Sequence, residues 1–225
     1  MSVSIVAHGA TVDGGVANTV DGLRECIARG IRRAEIDVRS FGSELILGHD
    51  EPRPGDQLEL AAGALALAGS LDWLMLDLKE PGAARLAAEA IMALDCDRFV
   101  FASTQASDLR TVRSILPGAT TSLSFPNDPW HPHWLRRGYV AAYRLALPFA
   151  IASRVKRYRP TQLTLNRRFV TGPALAVARW LGCRVYVWTV DEPAQAQALA
   201  RMGVAGIITN RPLQIAAATG DIRTA

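Results

Sequence analysis

Short apolar runs alternate along the chain with longer stretches whose apolar residues recur at helical spacing. Apolar runs of this length are typical of strands that are buried on both faces of a parallel sheet. Eight of them predict strands at residues 3–7, 34–38, 73–78, 99–102, 119–123, 162–165, 184–190 and 206–208. The helical spacing predicts helices at residues 19–29, 83–94, 107–116, 172–181 and 193–202, and an alanine-rich helix after a loop within residues 52–69.

Two segments depart from this alternation. Residues 44–47 follow the second strand after a Phe-Gly turn, which predicts an added hairpin arm. The segment 124–160 is less regular, because four prolines interrupt it, and it is predicted to be a long loop with one or two short helices. These prolines are Pro126, Pro129, Pro132 and Pro148.

Eight strand–helix units in 225 residues predict an α/β fold, specifically a closed TIM (β/α)8 barrel. An open, doubly wound parallel sheet is the alternative. The glycine-rich G-x-G-x-x-G turn that marks a dinucleotide site in such sheets does not follow the first strand. No shift in composition marks a linker, so residues 1–225 are predicted to form a single domain.

Polar residues gather where the predicted strands end, which in a barrel is the active face. Glu35 and Asp37 are two residues apart and share one strand face, as do Asp77 and Lys79. A carboxylate pair on one face is costly unless a cation or a proton separates the charges, so a metal site is predicted. The alternative is that these charges face water on an edge strand. The other candidates at strand ends are His8, His49, Trp188 and Asn210.

Composition and charge favour a globular enzyme over a nucleic-acid-binding protein. A hydrophobic content of 49% with 20% charged residues is ordinary for a globular enzyme. The net charge of +4 comes mainly from arginine, and the arginines are scattered without interleaved aromatic residues. This distribution lacks the stacking platform of a nucleic-acid reader and favours an enzyme that acts on a phosphate-bearing small molecule.

The remaining composition predicts a cytoplasmic protein. Three cysteines lie far apart without C-x-x-C spacing, as expected of reduced thiols. No apolar run reaches the roughly 18 residues of a membrane span, and no secretory signal pattern is visible. The sequence leaves the oligomeric state open.

Seven short motifs, in a fixed order, carry a family resemblance. They are Val6-Ala7-His8-Gly9, Asn18-Thr19, Glu35-Ile36-Asp37-Val38, Gly48-His49-Asp50, Leu76-Asp77-Leu78-Lys79, Val187-Trp188-Thr189-Val190 and the segment 203–212. In this order they resemble the glycerophosphodiester phosphodiesterase family of the PLC-like phosphodiesterase superfamily, over nearly the whole chain.

The resemblance implies a metal-dependent enzyme that hydrolyses a small phosphodiester to an alcohol and a phosphomonoester. It implies that Glu35, Asp37 and Asp77 hold Mg²⁺ or Ca²⁺ and that His8 and His49 form the acid/base pair. Lys79, Trp188 and Asn210 are then expected to bind substrate. Two alternatives stay open: a lyase that forms a cyclic phosphate, as in the similar spider phospholipase D toxins, and a non-catalytic barrel that binds phosphoryl ligands.

The sequence departs from the family pattern at three points. His8-Gly9-Ala10 stands where His-Arg-Gly is usual, Val16-Ala17-Asn18-Thr19 replaces Pro-Glu-Asn-Thr, and Asp77 replaces a commoner glutamate. Arg167, which follows the sixth strand, is expected to supply the missing phosphate contact, with Arg39 and Arg144 as alternatives. A lid over the leaving group is expected from Phe125, Trp130 and Trp134. His131 and His133 are interpreted as substrate-loop or surface residues.

Overall fold

The computed structural model describes residues 3–94, 96–125 and 133–220. The strands of the sheet are β1 (Ser4–Ala7), β2 (Arg33–Phe41), β3 (Glu44–Leu47), β4 (Glu59–Leu60), β5 (Trp73–Leu78), β6 (Phe99–Ser103), β7 (Thr120–Ser124), β8 (Gln162–Asn166), β9 (Arg184–Trp188) and β10 (Gly206–Thr209). Eight of them are parallel and run in the order β1-β2-β5-β6-β7-β8-β9-β10, and the ring closes through β10–β1 pairing and the Ala7–Ala34 pair of β1 and β2.

A helix follows each barrel strand, so the TIM-barrel prediction is confirmed. The helices are α1 (Val20–Ala28), α2 (Ala62–Ala66), α3 (Pro81–Met92), α4 (Ala106–Ile115), α5 (His133–Tyr158), α6 (Gly172–Trp180), α7 (Pro193–Arg201) and α8 (Pro212–Thr219). Local sequence sets several of their starts. Thr19 and Thr171 cap α1 and α6 by accepting backbone N–H groups, and α3, α7 and α8 each begin at a proline.

The predicted hairpin arm is present as β3, which pairs antiparallel with the extended end of β2. The short strand β4 extends this hairpin and was not predicted, and neither was α8. None of the helices described is both long enough and apolar enough to cross a membrane.

The predicted long loop at residues 124–160 is wrong for most of its length, because α5 is a helix of 26 residues. Pro148 lies inside it. Leu147, Ile151 and Val155 recur at every fourth position of α5 and are buried against the barrel. Burial of this stripe outweighs the lost hydrogen bond of one internal proline. Pro126, Pro129 and Pro132 lie outside the described residues.

The interior of the barrel is packed on its N-terminal side and polar at its C-terminal mouth. An inner cluster fills the lumen, and the Trp73 and Tyr186 rings meet edge to face with centroids 5.6 Å apart. Its buried members are Val6, Met75, Val100, Ala102, Tyr186 and Ile208. Above this layer the strands end in charged and hydroxyl side chains, so the fold opens a polar cavity at the mouth.

Candidate active site

The mouth cavity has a volume of about 370 Å³ and brings together residues from both ends of the chain. Because all eight barrel strands are parallel, their C-terminal ends meet at this one face. Of the candidates predicted from sequence, the residues lining it are His8, Glu35, Arg39, His49, Asp77, Lys79 and Trp188. Thr104, Ser124 and Thr164 also line it.

Three carboxylates form a compact oxygen cluster at one side of the mouth. Glu35 and Asp37 lie on β2 and Asp77 lies on β5, where the strand register sets Asp37 opposite Asp77. One oxygen from each carboxylate lies within 4.8 Å of the others. An all-oxygen donor set of this kind suits a hard divalent cation such as Mg²⁺ or Ca²⁺.

The charge balance of the cluster also fits a divalent cation. The Lys79 Nζ lies 2.6 Å from Asp37 Oδ1 and 2.5 Å from Asp77 Oδ2. Burial acts to lower the pKa of Lys79, but attraction to these two carboxylates raises it above its ordinary value. Burial raises the pKa of Glu35 well above its ordinary value, and repulsion from Asp37 and Asp77 adds to this effect. The single ammonium of Lys79 therefore does not balance the negative charge of the three carboxylates.

Two residues of the first loop hold the β2 carboxylates in place. The Asn18 side-chain amide donates to Asp37 Oδ2 at 2.9 Å, and the Asp37 N–H donates back to Asn18 Oδ1 at 2.8 Å. The Gly9 N–H donates to Glu35 Oε2 at 2.9 Å. Gly9 has a φ of 57°, and a Cβ there would lie 2.9 Å from the Ala17 Cβ, so a glycine is needed for this approach. Asn18 belongs to a predicted motif, but its contact with Asp37 was missed.

A chain of hydrogen bonds orients His8. The Asn210 Nδ2 donates to Asp191 Oδ2 at 2.8 Å, so the Asn210 Oδ1 faces His8 Nδ1 at 2.7 Å. Nδ1 must therefore carry the hydrogen in neutral His8, which leaves Nε2 as the free base. Nε2 lies 4.0 Å from Glu35 Oε2, beside the carboxylate cluster.

Asp191 anchors this series of hydrogen bonds, and the sequence did not predict that role. It also accepts hydrogen bonds from the Thr209 hydroxyl and the Asn210 N–H. Partial burial acts to raise the pKa of Asp191, but these hydrogen bonds hold it below its ordinary value. The available signal was its place three residues after β9, at the same face as the other strand-end residues. Asn210, predicted to bind substrate, contacts His8 and Asp191.

His49 approaches the cavity from the hairpin side. Its side chain is 67% exposed, and its Nδ1 lies 2.8 Å from Asp50 Oδ1. Arg39 lines the cavity next to it, donating to the His49 carbonyl oxygen at 3.1 Å and to Glu80 Oε2 at 3.2 Å. The hairpin therefore presents a histidine and a guanidinium to the same space as His8.

The two other candidate arginines lie elsewhere. Arg167 Nη1 donates to Gln195 Oε1 at 3.1 Å, and Arg144 Nε donates to the Arg168 carbonyl oxygen at 2.7 Å. Neither is among the residues that line the cavity, whereas Arg39 is.

The predicted lid is only partly within the described structure. Phe125 is 1% exposed beneath the Arg154 guanidinium, so the prediction that it covers the leaving group is wrong. The prediction for Phe125 failed because an aromatic residue directly after a strand is as compatible with burial in the core as with a position over the cavity. Trp130 and His131 lie outside the described residues, as do the side chains of His133 and Trp134.

A hydroxyl-rich wall lies across the barrel from β2. Ser124 at the end of β7 and Thr164 on β8 are both buried, and their hydroxyl oxygens are 2.6 Å apart. The Trp188 ring is half-buried on the neighbouring strand β9 and lines the same cavity. The cavity thus has one anionic side, one hydroxyl side and an aromatic wall.

Residues 80–214, more than half of the chain, match the model of the Glycerophosphoryl diester phosphodiesterase family. Among proteins with curated descriptions, none matches the sequence significantly.

Solved structures of low sequence identity share the fold over nearly the full length. A glycerophosphodiester phosphodiesterase from Parabacteroides distasonis is 17% identical, with 98% of both chains covered and a TM-score of 0.77. One from Thermotoga maritima is 18% identical, with 96% of this chain and 98% of that chain covered and a TM-score of 0.68. An Oleispira antarctica phosphodiesterase in complex with the product sn-glycerol-3-phosphate is 16% identical, with 96% of both chains covered and a TM-score of 0.76.

Proposed function

The chain belongs to the glycerophosphoryl diester phosphodiesterase family and is a phosphoric diester hydrolase, and on this premise we propose that it hydrolyses small glycerophosphodiesters with a divalent cation and two histidines. One observation carries the proposal. The Nε2 of His8, which is free to exchange a proton, lies 4.0 Å from Glu35 Oε2, an oxygen of the Glu35–Asp37–Asp77 cluster at the mouth of the cavity.

The carboxylates Glu35, Asp37 and Asp77 would hold Mg²⁺ or Ca²⁺. Their oxygen-only donor set and their excess negative charge support this assignment. Such a cation, when bound, withdraws charge from phosphate oxygens and so stabilises the transition state.

The two histidines would divide the proton transfers. His8 is held through Nδ1, so its Nε2 can take or give a proton at the phosphate in a fixed orientation. His49 supplies the second group from the hairpin side of the cavity. Attack by water and departure of the alcohol occur on opposite sides of phosphorus, which is why two groups are needed.

The phosphate would be held by Lys79 and Arg39. Lys79 carries a fixed positive charge between two carboxylates, and Arg39 is positioned by Glu80 and the His49 carbonyl oxygen. We assign to Arg39 the phosphate contact that sequence alone assigned to Arg167, because Arg39 lines the cavity.

The hydroxyl wall supports an alcohol group that is itself rich in hydroxyls. Ser124 and Thr164 can exchange their mutual hydrogen bond for bonds to a polyol such as glycerol, while Trp188 covers its carbon face. The Oleispira antarctica phosphodiesterase, which has the same fold, holds sn-glycerol-3-phosphate as product.

Removing the hydroxyl wall should weaken binding of glycerol-bearing substrates. In the double variant Ser124→Ala and Thr164→Val, KM for glycerophosphocholine should rise by about fivefold. KM for bis(p-nitrophenyl) phosphate, which has no glycerol, should change little. Thr111→Val, whose hydroxyl bonds within α4, is the matched control and should match the wild type. Equal KM changes for both substrates would contradict the assignment.

Asp191 should act on turnover through the orientation of His8. An asparagine at 191 can accept at only one oxygen, whereas Asp191 accepts three hydrogen bonds, so Asn210 loses its fixed orientation. We expect kcat of Asp191→Asn to fall by about tenfold with little change in KM. Asp72→Asn, in which the lost carboxylate pairs with Arg33, is the control and should keep the wild-type kcat. An unchanged kcat in Asp191→Asn would refute the positioning role.

We also propose that residues 1–225 act as one domain in the cytoplasm. All three cysteines are unpaired, which supports a reducing compartment. Burial raises the pKa of Cys26 to about 12, so this thiol should be unreactive.

Product analysis in oxygen-18 water tests the proposed reaction. Hydrolysis of glycerophosphocholine should place one solvent oxygen in the phosphomonoester, as read by mass spectrometry. A cyclic phosphate without solvent oxygen would instead establish the lyase alternative, and unchanged glycerophosphocholine would contradict the assigned substrate class.

A further inference from the structure

The charged residues of helix α5 are all basic. Its 26 residues, His133–Tyr158, contain no aspartate or glutamate, although the whole chain has 21 acidic against 25 basic residues. Its basic residues are Arg136, Arg137, Arg144, Arg154, Lys156 and Arg157. A helix whose charged residues are all positive attracts an anionic surface.

The same helix exposes large apolar side chains on one face. Leu145 and Phe149, one turn apart, are 77% and 78% exposed, the highest values among large apolar residues in the described part of the chain. Lys156 falls on the same face by helical spacing, and its Nζ lies 5.7 Å from the ring of Trp180 at the end of α6. The Trp180 side chain is 75% exposed. We call this surface, Leu145, Phe149, Lys156 and Trp180, the α5 face.

The α5 face lies opposite the side by which the helix packs on the barrel. Leu147, Ile151 and Val155 are buried, and their helical positions are turned away from those of Leu145 and Phe149. Single exposed apolar residues are common on protein surfaces. Leucine, phenylalanine and tryptophan grouped with lysine and arginine are instead typical of elements that lie in a membrane interface.

The helix also reaches the rim of the mouth cavity. At about 39 Å it is much longer than α3, the next longest helix described, which has 12 residues. The centroids of the Tyr143 ring and of the Phe169 ring, which lies in the loop after β8, are 4.6 Å apart. Arg144 Nε donates to the carbonyl oxygen of Arg168 in the same loop. Because β8 ends at the mouth, a surface contacting this part of α5 lies beside the cavity.

We propose that the α5 face docks on the surface of an anionic phospholipid bilayer. Leu145, Phe149 and Trp180 would enter the interface, while Lys156 and Arg157 would face the lipid phosphates. The charge of α5 selects an anionic bilayer over a neutral one. Docking requires no turnover, so it is independent of the proposed hydrolysis.

Co-sedimentation of the full chain with vesicles tests the proposal. The protein should sediment with vesicles of phosphatidylcholine and phosphatidylglycerol, not with phosphatidylcholine alone, and added salt should release it. The double variant Leu145→Gln and Phe149→Gln should bind at least about tenfold more weakly. Lys156→Glu with Arg157→Glu should cause a loss of about the same size or larger.

Met92→Gln is the matched control, since Met92 is 58% exposed at the end of α3, away from the α5 face. It should bind vesicles like the wild type. All these side chains are exposed, so the variants should keep the wild-type unfolding temperature and the hydrolysis of a soluble diester.

Three outcomes would overturn the proposal. They are no sedimentation of the wild type with anionic vesicles, equal binding to neutral and anionic vesicles, and wild-type binding by the Leu145→Gln and Phe149→Gln variant. If the wild type fails to bind vesicles and this variant abolishes self-association in analytical ultracentrifugation, the face belongs to a second copy of the chain instead.

Discussion

Replacing His8 with alanine should lower kcat for a glycerophosphodiester on the order of a thousandfold. The reason is that His8 Nε2 is the free base beside the carboxylate cluster, and Asn210 holds its ring in one orientation. The side chain is 36% exposed, so its removal should cost little stability. Steady-state kinetics, with thermal unfolding followed by circular dichroism, separates the chemical effect from a folding effect.

Added imidazole provides the control for His8→Ala. It should restore part of the lost kcat, because a free imidazole can enter the space that the side chain leaves. His49→Ala should show a loss of similar size, since His49 is the second histidine among the described cavity residues and the proposed donor or acceptor of the other proton. Wild-type kcat in both variants would exclude two-histidine catalysis.

Replacing Glu35 with glutamine should abolish metal binding and also change the pH dependence of stability. In the folded protein without metal, burial and the neighbouring carboxylates raise the pKa of Glu35. Between the ordinary glutamate pKa of about 4.3 and this raised value, the folded state binds more protons than the unfolded state. Wild-type stability should therefore fall as pH rises through this window, and the Glu35→Gln variant should lack that part of the fall.

The metal response provides the second measurement on Glu35→Gln. With Mg²⁺ or Ca²⁺ at about a hundred times its dissociation constant, wild-type Tm should rise by roughly 5–10 °C. The variant should show no rise, and its kcat should drop by at least about a hundredfold. Glu25→Gln, which removes an exposed partner of Arg29 on α1, should behave like the wild type. A metal-dependent Tm rise in Glu35→Gln equal to that of the wild type would remove Glu35 from the proposed ligand set.

The barrel and its carboxylate cluster could be predicted because both follow from local patterns. Apolar runs mark buried strands, and the strand period places Glu35 with Asp37, and Asp77 with Lys79, on shared faces. Parallel strands then bring their ends to one edge, which is why residues as distant as His8 and Trp188 line the same cavity.

The contacts that were missed depend on tertiary structure. The hydrogen bonds that Asn210 donates to Asp191 and Asn18 donates to Asp37 join residues of different β/α units, and the sequence spacing marks neither pair. Arg39 reaches the cavity whereas Arg167 bonds Gln195, a difference set by side-chain direction. Helix α5 continues through Pro148 because the buried stripe of Leu147, Ile151 and Val155 stabilises it, and local helix propensity does not include this tertiary contribution.

Phosphorus NMR of glycerophosphocholine with the purified protein tests the central proposal, a metal-dependent phosphodiesterase at this mouth, most directly. The diester resonance should give way to that of a phosphomonoester in the presence of Mg²⁺ or Ca²⁺, stop on addition of chelator and resume when excess metal is restored. Conversion that continues at the same rate in chelator would contradict metal dependence, and a diester that persists under both metals would contradict the assigned substrate class.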